Sequence, residues 1–492
     1  MKIIRNINEQ VLKKTVDRCR ERGVVIPTFA EQRDPSKVPD KIKQKLSAIG
    51  MQEPHPLNLF RITWKNEPKD TGGLYNKGNW VEFPSALTGV EARLIGLVGK
   101  WFPIGAHKVG AAFGCLVPRL VSGEFDPTTQ KAVWPSTGNY CRGGAFDSAL
   151  LGCKAVAILP EGMSKERFEW LKSIGTDEII ATPGTESNVK EIYDKCWELK
   201  KTRGKDVVIF NQFEEFGNAI WHYHVTGNVV EDVYKQVATP RSRLAGYISA
   251  TGSAGTIAAG DYLRTIAPHI KVIATEALQC PTLLRCGFGA HRIEGIGDKH
   301  VPWIHNVRNT DMIAAIDDEQ CMQILRLFNE PAGTAYLQKK GVKDDIIKLL
   351  PWVGISGICN LIAGIEAAKY YELDNRDVIV FPMTDSMALY GSRIEELRHE
   401  GGAFDADQAS AVYARYLQGA NIQNLRELGH WDRKQLHNFK YFTWVEQQGR
   451  TSEDLNAMWE PDFWSETFSQ VEEWDKLINE FNQRTGVLAG MN

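Results

Sequence analysis

Short apolar runs alternate with amphipathic segments from about residue 110 to about residue 395, and this rhythm dominates the chain. The run at 155–159 is typical of a buried strand, and the segment after it repeats apolar residues at helical spacing between Ser164, a predicted N-cap, and Gly175. Strand, helix and strand in this order predict parallel sheets joined by right-handed crossovers, which is the α/β class. Further strands are predicted at 178–182, 271–275 and 377–381.

The pattern is interrupted in three places. Residues 66–78 are polar and Gly-rich and predict a loop, and residues 239–243 combine Pro with charge, which predicts the main internal boundary. Beyond residues 401–402 the strand pattern stops, and the rest of the chain reads as helical, aromatic and charged. Five of the 14 tryptophans lie there: Trp431, Trp444, Trp459, Trp464 and Trp474.

Composition narrows the function classes. The 492 residues carry 58 Lys and Arg against 61 Asp and Glu, a net charge of −3, which gives no support for binding nucleic acid. No apolar run is long enough to cross a membrane, and the first residues lack the apolar stretch of a signal peptide. The nine cysteines include no CxxC pair, and no metal-ligand set stands out, so we expect a cytoplasmic protein with reduced thiols and no metal site.

Four segments contain candidate chemistry. Lys108 lies between small residues in an apolar stretch, where desolvation would lower the pKa of its amine and favour nucleophilic attack. The loops at 135–144 and 248–257 precede helices and offer backbone N–H groups to anions, the second of them to a phosphate. Ser386 follows a predicted strand and can hydrogen-bond a ring nitrogen. An amine, an anion loop, a phosphate loop and a hydroxyl together suit pyridoxal 5'-phosphate.

In this order the segments resemble those of the tryptophan-synthase-β-type (fold type II) pyridoxal phosphate enzymes, and most of all the cysteine synthase / cystathionine β-synthase branch. GAHK at 105–108 is similar to the Schiff-base lysine motif, STGN at 136–139 to the asparagine loop TSGN, and GSAGT at 252–256 to the phosphate loop GTGGT. The resemblance extends over about residues 55 to 395.

The resemblance implies an α/β fold of two three-layer αβα domains with parallel sheets. The large, cofactor-binding domain would comprise residues 55–114 and 240–400, and the small domain, residues 115–239, would carry the asparagine loop. Residues 1–54 and 401–492 would then form helical N- and C-terminal extensions, the latter rich in Trp.

The resemblance also implies a role for each site residue. Lys108 would form the Schiff base and shuttle the proton at Cα, Asn139 would hydrogen-bond the cofactor's ring oxygen, and Ser386 would bind the pyridine nitrogen. The residues expected at the phosphate are Gly252, Ser253, Ala254, Gly255 and Thr256. Those expected at the substrate carboxylate are Ser136, Thr137, Tyr140 and Gln212.

The implied reaction is β-elimination or β-replacement on a small L-amino acid of the cysteine, serine or O-acetylserine type, through an aminoacrylate. The enzyme would be a lyase or a cysteine synthase-type transferase, acting as a homodimer. Two alternatives remain open. The pattern of Asn139, Arg142 and Gly143 is similar to diaminopropionate ammonia-lyase, which favours a diamino acid substrate. The Trp-rich tail allows a catalytic β subunit that requires a partner chain.

Overall fold

The structure is a computed structural model that describes residues 2–136, 138–184, 188–297 and 299–491. Its fold is built on two β-sheets. The larger sheet has seven strands and the smaller has four. The strands are β1 (Trp80–Phe83), β2 (Arg93–Val98), β3 (Lys131–Pro135), β4 (Lys154–Pro160), β5 (Glu178–Thr182), β6 (Val207–Ile209), β7 (Arg243–Ala250), β8 (Lys271–Ala277), β9 (Met312–Ile316), β10 (Asp377–Met383) and β11 (Leu425–Glu427). They contain the four strands predicted from the sequence.

The larger sheet has the order β1-β2-β10-β7-β8-β9-β11. Its inner strands are parallel, whereas β1 pairs antiparallel with β2 and β11 pairs antiparallel with β9. The sheet is therefore mixed at its edges, where an antiparallel strand is common on a parallel core. The C-terminal segment is helical as expected except for strand β11, whose three residues are too few to show strand alternation in a sequence.

The smaller sheet has the order β5-β4-β3-β6 and is parallel throughout. All of its strands come from residues 131–209, and the larger sheet takes its strands from both sides of that segment. The α/β class with parallel sheets is thus confirmed, whereas the domain limits stay predictions.

Helices cover both sheets and form most of the two ends of the chain. The α-helices are α1 (Glu9–Glu21), α2 (Phe29–Arg33), α3 (Asp40–Leu46), α4 (Ser85–Thr88), α5 (Lys108–Ser122), α6 (Asn139–Leu150), α7 (Lys165–Ser173), α8 (Val189–Arg203), α9 (Phe216–Trp221), α10 (Gly227–Val237), α11 (Ala258–Ile266), α12 (Thr282–Arg285), α13 (Asp318–Asn329), α14 (Pro331–Lys339), α15 (Asp344–Ile347), α16 (Ile355–Tyr370), α17 (Gly391–Gly401), α18 (Ala406–Val412), α19 (His430–Lys440), α20 (Ser452–Ala457), α21 (Pro461–Ser469) and α22 (Val471–Thr485). Short 3₁₀ turns occupy Pro35–Lys37, Pro56–Arg61, Lys69–Thr71, Gly204–Asp206, Val307–Asn309, Leu350–Trp352 and Met387–Leu389, and π turns occupy His222–Thr226, Tyr413–Gln418 and Tyr441–Val445.

The N- and C-terminal segments pack against each other. Phe29 contacts Trp474 with ring centroids 5.6 Å apart, and the Asp475 carboxylate accepts the Phe29 backbone N–H at 2.7 Å. Arg20 donates to the Thr485 carbonyl at 2.9 Å. The N-terminal and C-terminal segments therefore lie next to each other in the fold. None of the helices within the described ranges is long and apolar enough to span a membrane.

Candidate active site

Lys108 is the first residue of helix α5, directly after the loop that leaves strand β2. Its amine donates hydrogen bonds to Gln212 Oε1 at 3.1 Å and to Ser253 Oγ at 3.0 Å. Gln212 follows strand β6 and Ser253 follows strand β7, so both lie at the carboxyl ends of parallel strands, where open α/β sheets bind ligands. The structure therefore places two sequence-predicted residues, Gln212 and Ser253, at the amine of a third, Lys108.

The glycine loop between β7 and α11 is closely packed. A Cβ atom on Gly252 would lie 2.6 Å from the Gly295 carbonyl oxygen, and one on Gly255 would lie 2.0 Å from Asn218 Oδ1, so both positions require glycine. Ala254 adopts a left-handed conformation with φ of 60°. The Asn218 side-chain N–H group donates to Ser253 Oγ at 3.0 Å and fixes this hydroxyl beside Lys108. A tight loop before a helix start is the geometry that exposes backbone N–H groups to an anion.

The second loop leads from β3 into α6. Ser136 Oγ accepts the Gly138 backbone N–H at 3.0 Å and lies 3.4 Å from Gln212 Nε2. Ser136, Gln212, Lys108 and Ser253 thus form a continuous line of polar side chains. Such a line between a helix start and an amine can bind the carboxylate and amino group of a small amino acid.

Asn139, the first residue of α6, faces a different set of partners. Its Nδ2 donates to Asp385 Oδ2 at 2.7 Å, and its Oδ1 accepts from Arg142 Nη1 at 3.1 Å. Tyr390 also donates to Asp385 Oδ2, at 2.7 Å. The asparagine loop is therefore linked directly to the segment that follows strand β10.

Two other predicted residues lie apart from this line. Tyr140 is fully buried, with its ring 5.5 Å from the Trp134 ring. Ser386 is buried at the start of the 3₁₀ turn Met387–Leu389, where its hydroxyl makes no cap hydrogen bond. Thr137 lies outside the described residues. The roles of these three residues stay predictions.

Burial shifts the pKa values of several side chains around the site. It holds the pKa values of His107 and His222 well below their usual range, with the nearby Lys108 charge acting in the same direction. It raises the pKa of the Cys141 thiol to about 12, which makes this thiol a poor nucleophile. It also raises the pKa of Asp385, a shift that the Arg167 charge opposes.

Sequence reasoning missed several members of the site. Asn218 carried no signal, and no sequence pattern indicates that Arg167 of α7 and Glu294 of the loop after β8 form a buried ion pair. Asp385 stands next to Ser386, and this position at a strand end was the one available signal.

The sequence pattern of the family described as "Pyridoxal-phosphate dependent enzyme" matches residues 102–335, which include Lys108 and the glycine loop. A cysteine synthase of Staphylococcus aureus is 31% identical over 281 residues, which are 57% of this chain and 82% of that protein. The chain belongs to this family.

As a pyridoxal-phosphate dependent enzyme, the protein uses pyridoxal 5'-phosphate as its cofactor. Other known proteins match this chain more distantly. A cystathionine beta-synthase of Saccharomyces cerevisiae is 23% identical over 366 residues, 72% of this chain and 68% of that one. The crystal structure of a cysteine synthase from Entamoeba histolytica superposes with a TM-score of 0.56 at 19% identity, covering 68% of this chain and 92% of that one. This superposition confirms the fold.

The residues present fit the cofactor. Pyridoxal phosphate requires an amine for its aldehyde and a close-packed anion site for its phosphate. The Lys108 amine lies 3.0 Å from Ser253 Oγ, within the loop whose glycines cannot accept a Cβ atom. Buried Asn218 Oδ1 and Asp385 Oδ1 lack hydrogen-bond partners among the described residues, as expected beside a site built to hold a polar ligand.

Proposed function

We propose that the enzyme carries out β-elimination or β-replacement on a small L-amino acid of the cysteine, serine or O-acetylserine type. The observation that carries the proposal is the Lys108 amine held between Gln212 and Ser253, because this places one base between a candidate carboxylate site and the phosphate loop. The names of the matching proteins, cysteine synthase and cystathionine beta-synthase, support the same chemistry. The homodimer implied by the resemblance and the cytoplasmic location expected from the cysteines also belong to this proposal. Sedimentation equilibrium tests the homodimer.

Each part of the site would have a separate task. Lys108 would hold the cofactor and, once released by the substrate amine, take the Cα proton on Nζ. Gly252 to Thr256 would hold the phosphate, Asn139 the ring oxygen and Ser386 the ring nitrogen. Ser136, Thr137, Tyr140 and Gln212 would bind the substrate carboxylate. When bound, pyridoxal phosphate supplies a ring that delocalises the charge left at Cα.

A substrate panel tests the proposed reaction. The holoenzyme is incubated with cysteine, serine, O-acetylserine plus sulfide, and diaminopropionate, and sulfide, acetate, α-keto acid and ammonia are measured. We expect turnover of at least one of the first three, with loss of the group on Cβ. Turnover confined to amino-group transfer, with every Cβ substituent retained, would contradict the proposal.

An ammonia-lyase acting on a diamino acid is the second candidate, and one contact favours it. Arg142, which belongs to the pattern that resembles diaminopropionate ammonia-lyase, is fully buried and donates to Asn139 Oδ1. In the same panel, this candidate predicts ammonia and keto acid from diaminopropionate without sulfide from cysteine.

The glycine loop gives a prediction about cofactor affinity. Gly255→Ala places a Cβ atom 2.0 Å from Asn218 Oδ1, which forces the loop and Asn218 apart. We expect the dissociation constant for pyridoxal phosphate to rise by at least about tenfold, the loss of one or two hydrogen bonds to a charged group. Gly364→Ala is the control, since its Cβ atom meets nothing closer than 3.5 Å. Titration of the cofactor-free variants, followed by fluorescence, measures the effect, and equal constants for both would refute the assignment of the loop.

A further inference from the structure

Asp385 is a buried carboxyl group directly before Ser386, and it was given no role from the sequence. It follows strand β10 and is 1% exposed. Its Oδ2 accepts from Asn139 Nδ2 and from the Tyr390 hydroxyl, both at 2.7 Å. Its Oδ1 has no hydrogen-bond partner within the described ranges. A buried carboxyl group is costly unless hydrogen bonds or charges compensate it, and the bonds from Asn139 and Tyr390 do so here.

The partners of Asn139 fix the orientation of its amide without ambiguity. A guanidinium group can only donate hydrogen bonds, so the contact with Arg142 Nη1 requires the oxygen of the amide on that side. The nitrogen therefore faces Asp385. An amide nitrogen carries two hydrogens, and the described residues provide an acceptor for one of them only. The second N–H remains available to a ligand.

The structure also keeps space for Asp385 in this position. A Cβ atom on Gly354 would lie 1.9 Å from Asp385 Oδ1, although Gly354 has a φ of −80° that any residue can adopt. The need for glycine at position 354 therefore comes from the neighbouring Asp385 carboxyl group and not from the φ angle of Gly354. Arg142 holds the other end of the Asn139 amide and is itself anchored by the Ile104 carbonyl oxygen at 2.9 Å, so the amide is held from both ends.

We propose that Asp385 is a positioning residue, which orients the Asn139 amide so that its second N–H points to the ring oxygen of the cofactor. This inference rests on the proposed role of Asn139 in the function above. Asp385, which follows a strand of the larger sheet, acts through Asn139, which follows a strand of the smaller sheet. Asn139 and Asp385 are 246 residues apart in the sequence, so their contact requires that the segments after strands β3 and β10 pack against each other.

A double-mutant cycle tests this mechanism. Asp385→Asn keeps the shape of the side chain but offers both a donor and an acceptor to Asn139, so the amide is no longer held in one orientation. The dissociation constant for pyridoxal phosphate and the absorbance maximum of the bound cofactor are measured for wild type, Asp385→Asn, Asn139→Ala and the double variant. We expect Asp385→Asn to weaken binding about fivefold and to shift the absorbance maximum, since the Asn139 amide loses the carboxyl partner that holds it in one orientation. In the Asn139→Ala background the same change should have less than about a twofold effect.

Two further variants complete the test. Asp147→Asn, on the same helix as Asn139, is the matched control, because Asp147 is fully buried and has no partner for either oxygen among the described residues. It should leave the affinity for the cofactor and the absorbance unchanged. Gly354→Ala should reproduce the effect of Asp385→Asn by displacing the carboxyl group, and it keeps the test valid if Asp385→Asn does not fold.

Each outcome decides a separate point. An Asp385→Asn effect of equal size in both backgrounds, or one matched by Asp147→Asn, overturns the positioning role while the reaction of the wild-type enzyme stands. An Asn139→Ala variant that binds the cofactor normally overturns the role of Asn139 itself, and the inference with it. A wild-type enzyme that binds the cofactor but shows no loss of Cβ substituents contradicts the proposed function alone.

Discussion

Lys108→Ala is expected to abolish both turnover and covalent attachment of the cofactor. The Lys108 amine is the group that lies between Gln212 and Ser253, and we expect no other described side chain to replace it as base at Cα. Activity should fall by at least about a thousandfold, because a positioned general base alone contributes about 10²–10⁴-fold. The measurement is the rate on the best substrate of the panel, together with borohydride reduction and peptide mass spectrometry.

Lys100→Ala is the matched control for this prediction. Lys100 is a partly buried lysine shortly before Lys108, with its amine 4.9 Å from the Trp101 ring centroid, and it has no contact with the glycine loop or Gln212 in the described structure. Its removal should leave both activity and attachment intact. Recovery of the reduced cofactor on any lysine other than Lys108 in the wild-type protein would refute the assignment.

The sequence was most informative where function depends on local geometry. The loop at 252–256 was recognisable because its glycines pack against Gly295 and Asn218, so small side chains are required in a short stretch. Lys108 was recognisable because a lysine among small and apolar residues is unusual at a helix start. The buried strands β4, β8 and β10 were predicted from continuous apolar runs, which result from burial on both faces.

The features that the sequence did not show depend on contacts between distant residues. Asn139 and Asp385 are 246 residues apart, and Arg167 meets Glu294 across 127 residues. Even where one partner lies in a recognisable motif, as Asn139 does, nothing in the sequence indicates which distant residue it contacts. Strand β11 was also not predicted from the sequence, because its three residues form a strand only by pairing with the outer edge of β9.

The Trp-rich tail shows how one residue type can have two environments. Trp464 and Trp474 are buried, as is Trp444, whose indole N–H donates to the Val301 carbonyl oxygen at 2.8 Å. Trp431 is 80% exposed. Burial of three of these side chains favours packing of the tail on the catalytic segments as its main use.

Trp444→Ala is expected to lower the free energy of unfolding by about 3–5 kcal/mol, the usual cost of deleting a fully buried Trp side chain. The Trp444 ring packs against those of Tyr193, His300 and Trp303, at centroid distances of 6.1, 5.5 and 6.1 Å, so its removal leaves a cavity between the tail and the segment after Gly297. Trp431→Ala removes the same side chain from the surface of the same tail and should change stability by less than about 0.5 kcal/mol. Urea unfolding followed by far-UV circular dichroism compares the two variants. Equal unfolding midpoints would show that the tail does not stabilise the catalytic segments through Trp444, whereas a lower midpoint for Trp444→Ala alone would establish the tail as part of their core.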